Sequence, residues 1–401
     1  MNRLYTWNFL LAFLAQTAFT ITNSLLAHYG RWVEFLGGNE LDVGNVSSVS
    51  AFVGLVFRPL LAPWIDRLGP RFCWVVASII VVAGSLANIL LTDLGIWLYI
   101  IRSMMAVGIA IVFASGLTYI AHVTPVDRRA EAIGVLGAGG FVGLLIGPAL
   151  GDFFLHRAQR TEHDFQLFFL TAALGVGFSV VLVLFGKPAP MHHEPARGWH
   201  PIDFLRTAVK YWPGWIMFST FAFGVCMTVP FVFLSIFVDQ ETQSRVGPFF
   251  VVYATVGLAL RLGLRSWPDQ FGAKRILMVG MAMFAAGMWL FLLATREQPY
   301  WLMVAGAVCG AAHGLTFHSM VTLVLEPFPP EHRGSGSTLA LMGIDSGTFF
   351  GAQVLRFVIY KGGYPALFHA VAGCCVVAVI VLWWRKPTPT PTLADKSSAA
   401  A

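Results

Sequence analysis

Residues 43–71 read VGNVSSVSAFVGLVFRPLLAPWIDRLGPR, and residues 246–274 read VGPFFVVYATVGLALRLGLRSWPDQFGAK. At a constant offset of 203 (246 − 43), with no gap, Val43/Val246, Gly44/Gly247, Val49/Val252, Ala51/Ala254, Val53/Val256, Gly54/Gly257, Leu55/Leu258, Arg58/Arg261, Leu61/Leu264, Trp64/Trp267, Asp66/Asp269 and Gly69/Gly272 are identical. Arg71/Lys274 keeps its charge. Chance explains valines and leucines in two apolar stretches. It does not explain an Arg, a Trp, an Asp and three glycines in register, so about half the chain is a duplicated unit. Each copy is an apolar run with one Arg near its end, a tight charged turn, and a second apolar run. That is the plan of a transmembrane hairpin.

The composition agrees. Of 401 residues, 57% are hydrophobic and 11% charged, and the mean hydropathy is +0.72. Soluble domains carry about 25% charged residues, so lipid must cover much of this surface. The net charge of +6 is not a nucleic-acid signal, because the basic residues lie in short loops between apolar runs. Cys73, Cys226, Cys309, Cys374 and Cys375 sit inside apolar runs without a C-x-x-C spacing. They make neither a disulfide framework nor a zinc site, and read as packing residues.

Twelve runs, each ~17–25 residues, are long enough to cross a bilayer: 6–29, 45–65, 72–92, 96–121, 132–155, 165–186, 212–238, 247–268, 276–295, 300–325, 336–360 and 364–384. The first resembles a leader peptide, but it is too long and carries Gln16, Asn23 and Ser24, so it reads as a span. With the N-terminus inside, the inner segments hold sixteen Lys and Arg residues and the outer segments six. Both termini are therefore expected in the cytoplasm. Arg58, Arg102, Arg261 and Arg356 fall within spans.

The expected fold class is all-α, an integral membrane protein of twelve transmembrane helices in two pseudo-symmetric six-helix bundles. The expected domains are 1–186, a linker over 187–211, 212–384, and a disordered cytoplasmic tail over 385–401. Pro188, Pro190, Pro195 and Pro201 make the start of the linker a poor helix. From Pro201, IDFLRTAVKYW suits a short helix lying on the membrane surface. His192, His193 and His200 have no ligand constellation beyond Glu194, so no metal is expected.

The turn after span two, Asp66-Arg67-Leu68-Gly69-Pro70-Arg71, resembles the signature loop of the major facilitator superfamily, G-x-x-x-D-R-x-G-R-R/K. Ala62 stands for the leading Gly, and Pro70 for the first Arg after the second Gly. The resemblance implies a secondary transporter in which this loop latches one access state. Arg58, Asp66, Arg67, Gly69 and Arg71, with Arg261, Asp269, Gly272 and Lys274 in the second copy, become the gating residues. In span five, Gly134, Gly143, Gly147, Pro148 and Gly151 resemble the antiporter motif of the family's exporters, with Asp152 in place of its last Gly. Glycines so spaced make a flat helix face for close packing, which is the plainer reading. Arg102 partly matches a third exporter motif, R-x-x-Q-G-x-G-A, with Met105 for the Gln. The first half looks most like bacterial drug or sugar efflux members.

Charged groups inside spans are functional candidates by default. The resemblance puts spans one, four, seven and ten around a cavity, which makes Gln16, Arg102, His313 and His318 candidates to face it. Asp345, near the middle of span eleven, is the one acid found deep in a span. A lone carboxylate in a low-dielectric site favours its neutral form and can exchange a proton near neutrality. Asp345, with His313 or Arg102, is the expected proton-coupling group; a carboxylate fixed by a buried Arg is the alternative. Phe221, Phe223, Phe231 and Phe233 suit an apolar cavity, and Trp32, Trp97, Trp301, Trp383 and Trp384 suit interface belts.

The expected function is proton-driven export of a small, amphipathic organic molecule from a bacterial inner membrane. The alternative is proton-coupled uptake of a nutrient or organic anion held by Arg102. A transport-dead sensor or scaffold is disfavoured by the intact Asp66 and Asp269 turns. An enzyme is disfavoured because no H-x-x-x-H, nucleophile elbow or phosphate loop appears. The expected partners are the substrate, a proton and the bilayer, with no nucleic acid, no cofactor and a monomeric state.

Overall fold

The computed structural model describes residues 6–124, 128–156, 159–187, 201–263, 270–329 and 332–384, and all their side chains except those of residues 62, 66, 121, 129–131, 133, 134, 201 and 202. The first six helices are α1 (Trp7–Phe35), α2 (Glu40–Leu68), α3 (Pro70–Asn88), α4 (Ile96–Val123), α5 (Arg129–Leu155) and α6 (Glu162–Phe185). A short α7 (Pro201–Lys210) follows, as the sequence suggests. The second set is α8 (Ile216–Thr242), α9 (Gly247–Gly263), α10 (Ala273–Leu293) and α11 (Trp301–Leu325). Gly363, at φ +68, breaks the last 52 helical residues into α12 (333–362) and α13 (364–384). Leaving α7 aside, twelve apolar helices correspond to the twelve expected runs among the described residues.

Local chemistry sets the helix starts. Asn39 and Asp42 form a capping box at α2, with Asn39 Oδ1 accepting from Leu41 N at 2.9 Å and Asp42 Oδ2 from Asn39 N at 3.0 Å. Thr161 and Asp164 do the same for α6. Each box satisfies amide groups the helix cannot. The signature turn reverses at Gly69, φ +84 and ψ 142, and its duplicate reverses at Gly272, φ +85 and ψ 129. The repeat therefore extends to a backbone conformation that glycine adopts without strain.

The duplication is also visible in packing. A Cβ built on Gly44 would lie 2.9 Å from the Ala352 carbonyl oxygen, so α2 crosses α12 in direct backbone contact. One built on Gly247 would lie 2.9 Å from Ala149 Cα, so α9 crosses α5 in the same way. Gly44 and Gly247 differ by 203, and so do Ala149 and Ala352. These two crossings between the first six helices and the last six are copies of each other.

Within each set, glycines again decide the fit. Gly143, Gly147 and Gly151 of α5 lie against Thr20, Ile21 and His28 of α1. A Cβ on Gly143 would be 2.7 Å from the Thr20 backbone, and one on Gly147 would be 2.7 Å from Leu25 N. Gly343, Gly347 and Gly351 of α12 lie against Thr220, Phe221 and Thr228 of α8. Both trios have i, i+4, i+8 spacing, one facing the first helix of its set and the other facing the seventh span. The glycines resembling an antiporter motif are thus one of two similar packing faces.

Two expectations change. The first span runs on to Phe35, and Trp32 does not join an interface belt. It is buried near the C-terminal end of α1 against Phe165 and Phe169. Trp97, Trp383 and Trp384 are exposed. The tail 385–401, His192, His193, His200 and Asp269 lie outside the described residues, as does the Asp66 side chain.

Gly147→Val places a side chain on the Ile21–Leu25 backbone and should destabilise by about 1–3 kcal/mol or more, the range of overpacked cores. Gly54→Ala meets nothing within 4 Å, and should stabilise α2 by roughly 0.5–1 kcal/mol. Melting of the detergent-solubilised variants checks both signs.

Candidate functional site

The proximal end is the end of the molecule that holds Trp7 and Trp384; the distal end is opposite. Four charged side chains meet at the distal end. Arg31, in the last turn and a half of α1, is fully buried. Its guanidinium forks onto Asp239 of α8, with Nη2 to Oδ1 at 2.7 Å and Nε to Oδ2 at 2.9 Å. Its Nη1 donates to Asp152 Oδ1 of α5 at 3.2 Å and to His28 Nδ1 at 2.7 Å. Because Nδ1 accepts, the His28 proton is on Nε2, which donates to the Pro148 carbonyl at 2.8 Å. Arg160, in the α5–α6 loop, donates from Nη2 to Asp239 Oδ2, the oxygen that also accepts from Arg31 Nε, and from Nε to the Leu155 carbonyl at 2.8 Å.

Asp152 completes the link. Its Oδ2 accepts from the backbone N–H of Gly247, the first residue of α9. A carboxylate is favoured there by the free amides and dipole of the helix start. Two cations and two carboxylates thus neutralise one another in a buried site that joins α1 and α5 to α8 and α9. Burial, and then the neighbouring Arg31, hold the Arg160 pKa below the usual arginine value against the pull of Asp239. Burial likewise lowers the His156 pKa in the same loop, against the nearby Asp152.

Further bonds zip the distal end. Gln240 donates to Glu40 at 2.7 Å and to Glu34 at 3.3 Å. Gln353 donates to Asn45 at 3.3 Å, Arg356 to the Leu41 carbonyl at 3.2 Å, and Ser48 to the Phe349 carbonyl at 3.3 Å. These bonds tie the two sets of helices together from the distal end down to one mid-depth pair.

That pair is Arg58 of α2 with Asp345 of α12. Arg58 Nη2 donates to Asp345 Oδ1 at 3.0 Å, and Nε donates to Oδ2. Asp345 is therefore not a lone carboxylate and is not grouped with Arg102 or His313; it is held by an arginine, the alternative arrangement, with Arg58 as that arginine. A bidentate guanidinium–carboxylate fork is the strong form of this interaction. Both side chains stay partly exposed.

The other candidates separate. Arg102 lies over the Tyr29 ring, 4.6 Å from its centroid, inside the first set; its Nε and Nη1 are buried without a partner. Tyr29 donates to Asn88 Oδ1 at 2.8 Å. Gln16 is buried against Gly116 of α4, and its Oε1 has no partner. His313 Nδ1 is 2.6 Å from the Tyr253 hydroxyl, in a nest of Phe141, Phe223 and Phe317. His318, further along α11, is exposed. Phe223 and Phe233 are buried in packing, while Phe221 and Phe231 keep partial exposure. Arg71 bonds the Val183 and Leu184 carbonyls at 3.2 and 2.6 Å, closing the end of α6. Arg67 is exposed, and Arg261 lies against Gly137 of α5.

Sequence reasoning missed the distal network. It put Arg31 and Arg160 in outer loops and passed over Asp239. The readable signal was Asp152, an acid where the resemblance calls for glycine. Asp152 is 6% exposed, more deeply buried than Asp345.

Comparison with known proteins fits this architecture. The model of the Major Facilitator Superfamily matches residues 9–267 and 242–401. The chain is 19% identical over 377 residues to the uncharacterized MFS-type transporter YhhS of Escherichia coli (strain K12), covering 92% of this chain and 89% of that one. Among solved structures, it is similar in fold to a mutant of the nucleoside transporter NupG, with a TM-score of 0.76 and 15% identity over 94% of this chain and 99% of that one. It is also similar in fold to a D-xylose-proton symporter, with a TM-score of 0.76 and 14% identity over 96% and 98%.

Removing one partner of a buried pair costs about 3–5 kcal/mol. Asp239→Asn should therefore loosen the distal end. Hydrogen exchange should quicken by at least ~tenfold in the distal turns of α1, α2, α8 and α9, with the proximal turns unchanged. Unaltered distal exchange would show that the network does not hold the end shut.

Proposed function

The chain belongs to the Major Facilitator Superfamily, and from that premise we propose that it is a proton-coupled exporter of a small amphipathic organic molecule. It is a multi-pass membrane transporter and not an enzyme. The observation that carries the proton-coupled reading is the Arg58–Asp345 fork between α2 and α12.

The fork joins the two sets of helices at mid-depth, where a charge costs ~2.5–3.5 kcal/mol on insertion scales. A proton arriving on Asp345 removes the acceptor charge and leaves Arg58 uncompensated. The contact between the sets then weakens, and Asp345 can travel neutral. Proton binding thereby differs in free energy between the two arrangements, which is the requirement for coupling. The distal bonds define one access state, and the opposite state requires Arg31–Asp239 and Asp152–Gly247 to part. The two bundles, 1–186 and 212–384, would rock about the α2–α12 and α5–α9 crossings.

With both termini in the cytoplasm of a bacterial inner membrane, the distal end is external and the state described faces inward. The charge asymmetry of the loops supports this orientation. Export rests on the family resemblance of α5 and α4. Proton-coupled uptake is the second reading. It is favoured by the glycine trio recurring in α12, which makes the α5 trio a shared packing face, and by the symporter named among the structures of similar fold.

Inside-out vesicles with a respiration-driven proton gradient and a pH-sensitive dye test the reading. A panel of amphipathic compounds, sugars and carboxylates should contain members that collapse the gradient, and Asp345→Asn should abolish the response. Transport by Asp345→Asn with intact proton coupling would exclude Asp345 as the carrier. Responses confined to right-side-out vesicles would favour uptake.

A further inference from the structure

Arg58 and Arg261 are the same position in the two copies. Arg58 has Asp345. At the offset that relates Ala149 to Ala352, the residue matching Asp345 is Val142 (345 − 203). The duplicate arginine has no acid at the matching position. Among the described residues, Arg261 makes no hydrogen bond or ion pair. Its guanidinium lies along α5 against Gly137, where a Cβ would be 2.6 Å from Cζ. Gly137 is five residues before Val142, roughly 7 Å along the helix.

The surroundings form a layered site. Tyr253, Gly257 and Arg261 have i, i+4, i+8 spacing on α9 and share a face. Gly257 touches Phe141 of α5 and the Gly310 carbonyl of α11. Phe141 is one helical turn from Gly137 and lies 5.3 Å from the His313 ring. His313 and Phe317 keep partial exposure, as does Arg261. A cation without a counter-ion among the described residues thus sits one turn below an aromatic layer, at a crossing between the two helix sets.

We infer that Arg261 is the anion-binding residue of the substrate site, and that the substrate is an organic carboxylate with an apolar or aromatic body. The carboxylate supplies Arg261 with the counter-charge that Asp345 supplies to Arg58. A planar guanidinium fork selects a planar oxyanion and offers nothing to a neutral amide or a cation. The body of the substrate lies against His313 and Phe317, the partly exposed members of the aromatic layer. Binding also adds a charge pair at the α5–α9 crossing, as Arg58–Asp345 does at α2–α12. This inference rests on the transporter reading and specifies its substrate class. It moves anion recognition from Arg102 to Arg261.

Equilibrium binding to the purified full chain in detergent tests it without reference to proton coupling or direction, so its failure leaves the vesicle result standing. The probes are benzoate, indole-3-acetate and decanoate, each beside its neutral amide, read by thermal shift and by calorimetry. At least one acid should bind the wild type tenfold or more tightly than its amide. Arg261→Gln should lose that preference, Arg261→Lys should retain part of it, and Arg102→Gln should retain all of it. Val142→Asp supplies the missing acid; it should raise the melting temperature and abolish acid binding, which separates occupancy of the site from misfolding. Equal affinity for acids and amides, acid preference surviving Arg261→Gln, or acid binding unaffected by a well-folded Val142→Asp would each overturn the inference.

Discussion

Arg31 is a full positive charge with no exposed surface, and the distal half of the molecule is arranged around that fact. An uncompensated ion in such a place is costly, and removing one partner of a buried pair is strongly destabilising. Arg31 therefore needs two carboxylates, His28 and a loop arginine in one arrangement. Asp152 has to come from α5, Asp239 from α8, and the Gly247 amide from α9. A single charge fixes how four helices from both sets meet. The network is neutral only when complete.

The network gains leverage from the packing beneath it. Backbone-to-backbone crossings at Gly44–Ala352 and Gly247–Ala149 leave little room for adjustment. Close-packed surfaces move as rigid blocks rather than deform. Within each set the glycine trios hold α5 to α1 and α12 to α8 at similarly short range. Within each set, relative motion of the packed helices is therefore obstructed by backbone.

Much of the fold was legible in the sequence. The offset of 203 showed a duplication, and apolar run length showed the spans, because membrane helices must satisfy their backbones internally. The boundary error at α1 has a physical cause. Gly30, Arg31 and Glu34 read as loop, since run length cannot register an acid 208 residues away that makes Arg31 tolerable inside. The site was less legible for the same reason. Arg58 and Asp345 were each marked by depth in a span, but their pairing is a property of the α2–α12 crossing and has no local signature. Trp32 was misassigned because its burial depends on Phe165 and Phe169 of α6, again a long-range partner.

Symmetry separates the roles of these residues. The duplicated scaffold supplies several structural devices twice at the offset of 203: the turn glycines, the crossing glycines, and an arginine eight residues before the turn acid. What the two copies share belongs to the common scaffold. What only one copy has must do something the scaffold does not require. Asp345 has no counterpart at Val142, and Arg102 has none near Gly306. Asp152 and Asp239 likewise face no duplicate network among the described residues. The proposed proton chemistry therefore rests on an unduplicated charge, Asp345, whereas the proposed anion chemistry rests on Arg261, a duplicated residue whose surroundings are not duplicated.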